Sequence, residues 1–219
     1  MSVSSDAPKI KFCGITTVAD AERAAALDPW AIGLIFWPGS PRRCALDTAA
    51  EIAAAVKRRV EVVGVFSNAT LDEVGSTADA VGLTMLQLHG DEGPSYCSEA
   101  ARRTGCKVVK AARVHSGADI QALAPFHTDY HLLDSYSPEL PGGTGESFDW
   151  TLARSHGNTP PLILSGGLKP DNVAAAIAAV HPFAVDVASG VERSPGAKDP
   201  EKLEAFAKAV RSTAALTVR

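Results

Sequence analysis

KIKFCGITTVADAERAAALDPWAIGLIF, Lys9 to Phe36, decides the fold. A short apolar run, residues 9–13, ends in Cys13 and turns at Gly14. An Ala-rich, helix-length segment follows over about 18–27, and a second apolar run spans 31–36. This is a strand, a loop, a helix and the next strand. The turn after the first strand carries no GxGxxG, the glycine pattern by which an open doubly wound sheet cradles a dinucleotide.

The same unit recurs. Further strands are predicted at 60–66, 85–89, 107–113, 130–135, 161–165 and 183–188. Helices are predicted near 46–58, 70–80, 93–104, 117–125, 149–155, 171–180 and 199–214. Eight βα units within 219 residues favour a closed α/β barrel, a single (β/α)8 TIM barrel over 9–219, with residues 1–8 as a short disordered lead-in. The longest irregular stretch, 135–148, follows the sixth strand directly, and loops of that length are usually functional or disordered.

Composition narrows the classes. A formal net charge of −4, with no long Lys/Arg run, argues against nucleic acid or an anionic membrane as partner. No apolar run reaches the roughly 18 residues of a membrane span. The opening MSVSSDAPKI lacks the layout of a signal peptide. The four cysteines form no CxxC pair and have no His at ligand spacing, so free thiols in a reducing cytoplasm are expected and a structural metal is not.

In a barrel of this kind the reactive groups sit at the C-terminal ends of the strands. Those ends, with the loops that follow, offer Cys13, Arg42, His89, Arg113, Asp134, Ser165 and Asp186. Residues two apart share a strand face, so Lys11 lies on the face of Cys13, and Gln87 on that of His89. An interior Lys11 needs a counter-ion. The first and eighth strands are neighbours in a closed barrel, which makes Asp186 the expected partner, with Lys110 as a rival or additional interior charge.

Cys13 and Asp134 are the candidate pair for proton transfer. A thiolate accepts a proton, and a carboxylic acid donates one where burial raises its pKa. Each also has a plainer reading, Cys13 as a packed thiol and Asp134 as a turn cap. Arg42 is either a solvated loop residue or a planar fork for a carboxylate. His89 either meets a ligand or bonds only backbone, and Cys44, Cys97 and Cys106 read as packing residues.

Glycines supply an anion site. Ser165-Gly166-Gly167 follows the seventh strand and Ser189-Gly190 the eighth, where backbone N–H groups and helix N-termini hold phosphate in this fold. The GGTG turn of Gly142–Gly145 is placed to close over a ligand.

KFCGIT, LQLHGDE, LLDS…PGGTGESFDW, LILSGGLKPDNV and VDVASGVERSPGAKD together resemble the motifs of the phosphoribosylanthranilate isomerase family, in the family's order from about Lys9 to Phe206. The resemblance implies a (β/α)8 barrel without metal or organic cofactor, in tryptophan biosynthesis. The reaction it implies is an Amadori rearrangement of N-(5-phosphoribosyl)anthranilate to 1-(2-carboxyphenylamino)-1-deoxyribulose 5-phosphate. It makes Asp134 the general acid, Cys13 the general base and Arg42 the partner of the anthranilate carboxylate. It puts His89 and Asp186 near the sugar, with Gly143, Gly145, Gly166, Gly167, Ser189 and Gly190 as further binding positions. The implied partner is the small phosphoribosyl substrate, on a monomer or homodimer.

Four positions depart from the pattern: Glu146 after GGTG, Ala188 before Ser189, and the pair Arg43-Cys44 after Arg42. A related barrel isomerase of histidine biosynthesis ends its first strand in aspartate, where this chain has Cys13. A catalytically silent phosphosugar-binding barrel is the alternative from another class.

Overall fold

The computed structural model describes residues 7–135, 150–157 and 159–214. Eight parallel strands form a closed barrel in sequence order: β1 (Lys9–Cys13), β2 (Ala31–Ile35), β3 (Glu61–Phe66), β4 (Met85–Leu88), β5 (Lys107–Val114), β6 (Tyr130–Ser135), β7 (Leu162–Leu164) and β8 (Ala184–Val187). β1 closes the ring, with Lys11 in register with Ala31 on one side and with Asp186 on the other. The barrel expected from the alternating pattern is the barrel observed.

The helices between strands are α1 (Val18–Ala25), α2 (Leu46–Val56), α3 (Leu71–Val81), α4 (Pro94–Thr104), α5 (Gly117–Gln121), α6 (Trp150–Ala153) and α7 (Val173–Val180), with α8 (Pro200–Ser212) after the last. Their ends follow local chemistry. Thr70 and Glu73 form a capping box at the start of α3, and Gly82 ends that helix in a left-handed conformation, φ +72°. Asp199 caps α8 ahead of Pro200. α5 is shorter than the predicted 117–125, because residues beyond Gln121 continue as turns. A short hairpin, β9 (Glu192–Ser194) and β10 (Ala197–Lys198), sits between β8 and α8.

Strand alternation divides the apolar side chains into two cores. Phe12, Leu34, Leu86, Leu133 and Val185 face the helices and pack with Ile52, Ile177 and Phe206. Val63, Met85, Val109, Leu132, Ile163 and Ala184 fill the barrel interior. Trp30, Tyr130 and Phe183 plug the N-terminal end, with ring centroids 5.1 to 5.4 Å apart. From that plugged end the interior runs toward the strands' C-terminal ends, where the polar residues collect. Among the described residues no helix is long and apolar enough to cross a membrane.

Candidate active site

Cys13 ends β1 at the rim and is buried. Two glycines make its surroundings possible. A Cβ on Gly33, the neighbour of Cys13 on β2, would lie 2.8 Å from the Cys13 Sγ and 3.1 Å from Lys11 Nζ. A Cβ on Gly14, whose φ is +72°, would meet Arg42 Cδ at 2.9 Å. The first glycine leaves room for the thiol and the ammonium, and the second for the stem of Arg42.

One layer below Cys13, Lys11 Nζ donates to Asp186 Oδ1 at 2.9 Å, as the barrel closure predicted. Ser165 Oγ donates to Asp186 Oδ2 at 3.1 Å. Burial disfavours the Lys11 ammonium, but Asp186 and the Cys13 sulfur outweigh it and hold its pKa above the ordinary lysine value. Burial also pushes the Cys13 thiol up, with Lys11 drawing it partly back. The ammonium beside the sulfur thus favours the thiolate against the burial that opposes it. Lys110, expected as a rival or additional interior charge, is not one: it alternates with Val109, whose side chain fills the barrel, and so faces the helix layer, where it pairs with Glu92 at 3.2 Å and donates to Gly90 O at 2.6 Å.

Across the opening, His89 Nε2 lies 3.3 Å from Asp134 Oδ2. Gln87 Nε2, from the same strand face, lies 2.9 Å from His89 Nδ1. His89 therefore meets a side chain on each ring nitrogen, not backbone alone.

Arg42 is held by a residue that strand-end reasoning had passed over. Glu192 accepts from Arg42 Nε at 2.9 Å and from Nη2 at 2.8 Å, and from Lys198 Nζ at 2.9 Å. Lys198 is fully buried and also donates to Ala188 O. Burial disfavours the Glu192 carboxylate, yet its bonds to Arg42 and Lys198 keep its pKa below the usual carboxylate range. Arg42 is thus not free: a buried carboxylate fills its Nε/Nη2 edge, and the Nη1/Nη2 edge is what remains for a ligand. The six-residue spacing of Glu192 and Lys198 in VERSPGAKD was the available signal, legible only once the β9–β10 hairpin folds the two together.

The glycine turns face this group from β7 and β8. Gly166 and Gly167 are both left-handed, φ +87° and +65°. Gly190 approaches the neighbouring turn so closely that a Cβ would stand 1.9 Å from Leu168 O. One cavity of about 250 Å³ collects Cys13, Arg42, His89, Asp134, Gly166, Gly167, Asp186 and Ser189 in its wall. Gly190 is not among the lining residues and acts behind them. Gly143 and Gly145, with the rest of the GGTG turn, lie outside the described residues. Ile35, Val65 and His89 also line a smaller, mainly apolar cavity of about 170 Å³, together with Trp37, Phe66 and Arg113.

This constellation can be compared with known proteins. Residues 10–209 match the family model described as N-(5'-phosphoribosyl)anthranilate (PRA) isomerase. The chain belongs to the phosphoribosylanthranilate isomerase family. An N-(5'-phosphoribosyl)anthranilate isomerase from Citrifermentans bemidjiense is 49% identical over 195 residues, 89% of this chain and 93% of that protein. The crystal structure of phosphoribosyl anthranilate isomerase from Thermotoga maritima superposes with a TM-score of 0.85 at 37% identity, covering 94% of this chain and 99% of that one. A further phosphoribosyl anthranilate isomerase structure, at TM-score 0.82 and 35% identity with the same coverage, holds reduced 1-(o-carboxyphenylamino)-1-deoxyribulose 5-phosphate. Within this isomerase family the barrel, the rim thiol and the glycine turns of the present chain find their context.

Proposed function

We propose that Cys13 and Asp134 are the base and acid with which this chain isomerises N-(5'-phosphoribosyl)anthranilate, a step of tryptophan biosynthesis. The observation that carries the assignment is that both line one cavity walled by the glycine turns of β7 and β8. The turns hold the phosphate through backbone N–H groups, assisted by Ser189. The aromatic ring extends toward the apolar cavity under Trp37 and Phe66. The Nη1/Nη2 edge of Arg42, which the bond to Glu192 leaves free, faces the ring carboxylate.

Asp134 gives its proton to the ribose ring oxygen. The C1–O bond breaks as the anthranilate nitrogen lone pair forms C=N, opening the ring to a Schiff base. The Cys13 thiolate then removes the C2 proton, and the C–H electron pair becomes the C1–C2 double bond of an enolamine while the nitrogen recovers its lone pair. Proton return to C1 and loss of the O2 proton give the ketone, 1-(2-carboxyphenylamino)-1-deoxyribulose 5-phosphate. His89 and Asp186 border the sugar. Protons move and no electrons are exchanged with an outside acceptor, so the reaction balances without an added redox partner.

The reaction and the four free thiols fit a cytoplasmic setting, on a monomer or a homodimer. The Thermotoga maritima relative is described as dimeric.

The test follows the decay of substrate fluorescence, with substrate generated in situ. Cys13→Ala and Asp134→Asn are each expected to lower turnover at least about 10²-fold, as befits a general base or acid. Both should still bind the reduced product analogue. Near-normal turnover in either variant removes its assigned role, and a wild-type chain without turnover would favour a silent phosphosugar-binding barrel.

A further inference from the structure

Gln87 lies inside the barrel on β4, 1% exposed, between the apolar plug and the rim. Its amide nitrogen is 2.9 Å from His89 Nδ1. An amide nitrogen only donates, so Nδ1 must be the bare, accepting nitrogen, and the proton of the neutral ring sits on Nε2. That is the nitrogen 3.3 Å from Asp134 Oδ2. The Gln87 carbonyl oxygen is meanwhile buried without a hydrogen-bond partner among the described residues. A flipped amide would present that oxygen to His89 and demand the opposite tautomer, with Nε2 bare toward the carboxyl group. The orientation found leaves that acceptor unpaired among the described residues and puts the His89 N–H on the ring nitrogen that stands 3.3 Å from Asp134 Oδ2.

We propose that Gln87 is a positioning residue for the acid step, fixing His89 as the Nε2–H tautomer that holds Asp134 Oδ2. With Oδ2 facing a donor, the acidic proton of Asp134 resides on Oδ1, the oxygen left to serve the substrate. Gln87 stands in the wall of the same cavity, and its part in the acid step runs through His89, the ring it orients. The inference rests on Asp134 being the general acid.

Two measurements test it. The first is the 15N spectrum of the wild-type protein labelled at histidine, with His89 assigned by its loss in His89→Ala. Nε2 is expected to be protonated and Nδ1 bare. A neutral His89 carrying its proton on Nδ1 overturns the proposal whether or not any Gln87 variant folds.

The second is a double-mutant cycle of Gln87→Leu and His89→Ala, read as kcat and KM. Gln87→Leu alone should lower kcat on the order of tenfold, the scale of one lost hydrogen bond, with KM little changed. Added to His89→Ala it should cost nothing more. No loss in Gln87→Leu, or the same fold-loss in both backgrounds, overturns the proposal. Asp134→Asn separates the two levels. Retained turnover there would remove Asp134 as the acid while leaving the His89 tautomer as found. An inactive Asp134→Asn together with an additive cycle would remove only the role of Gln87.

Discussion

Lys11 Nζ stands 2.9 Å from Asp186 Oδ1, with the lysine side chain fully buried and that of the aspartate 6% exposed. A pair so enclosed contributes less through its attraction than it would cost to break, because either charge left alone is buried without compensation. Its position directly beneath Cys13 ties it to the thiol as well as to the fold.

Lys11→Met is therefore expected to act twice. It should destabilise the chain by about 3–5 kcal/mol, the usual cost of orphaning a buried charge. It should also drive the Cys13 thiol further up, since Lys11 does most, ahead of Lys198, to draw it down. Activity that needs the thiolate rises with pH, so the alkaline rise of kcat/KM moves to higher pH, at about tenfold less activity at neutral pH per unit moved. The double variant Lys11→Met with Asp186→Asn should recover stability in urea melts but not activity. Full activity in that double variant would show that the pair serves the fold alone.

Gly33→Ala tests the space reserved for the thiol. The added methyl would come within 2.8 Å of Cys13 Sγ and 3.1 Å of Lys11 Nζ. Overpacking of this kind costs about 1–3 kcal/mol. A lowered melting temperature and a fall in kcat are expected together, by thermal denaturation and steady-state kinetics. Wild-type kcat with alanine at this position would mean that the sulfur has room to move aside.

Glu192→Gln removes the charge that binds Arg42 and Lys198 together. Two cations would then share a nearly buried site, so stability should fall. The grip of Arg42 on a substrate carboxylate should loosen, raising KM more than it lowers kcat. A phosphoribosyl aniline, which lacks the carboxylate, should bind wild type and variant alike. If the variant weakens both ligands equally, Glu192 is not acting through that carboxylate.

His131 and His156 set an acid limit outside the active site. His131 Nε2 lies 3.0 Å from Phe126 O, so it donates there, and its Nδ1 accepts from His156 Nε2 at 2.8 Å. Burial lowers the pKa of both rings, that of His156 to about 4, where His131 adds to the effect. The unfolded chain takes up these protons first, near the ordinary histidine value of about 6.5. Their stabilisation is thus complete above about pH 6.5 and lost as pH falls toward about 4. Melting temperatures should drop through this window, and less steeply in His131→Leu/His156→Leu. An unchanged slope in that variant would assign the acid sensitivity to other groups.

Much of the site was legible from residue order because strands repeat every two residues. That period put Lys11 beneath Cys13 and Gln87 beneath His89, and eight βα units brought β1 beside β8 and Lys11 to Asp186. Partners from different units without a shared register left no such trace. Arg42 read equally well as a solvated loop residue until the β9–β10 hairpin delivered Glu192. His131 and His156 showed no suggestive spacing, yet they meet where β6 and the turn after α6 pack together.

By itself the sequence determined the barrel, the rim on which Cys13 and Asp134 stand, and the glycine turns, since each follows from local periodicity or from the backbone freedom of glycine. Only the tertiary structure decided which way the polar side chains point: His89 toward Asp134, Gln87 toward His89, Glu192 toward Arg42. Those choices depend on hydrogen bonds between segments distant along the chain or on the orientation of one amide. Side-chain polarity specifies that a buried group must find a partner, and the packed fold specifies which partner is within reach.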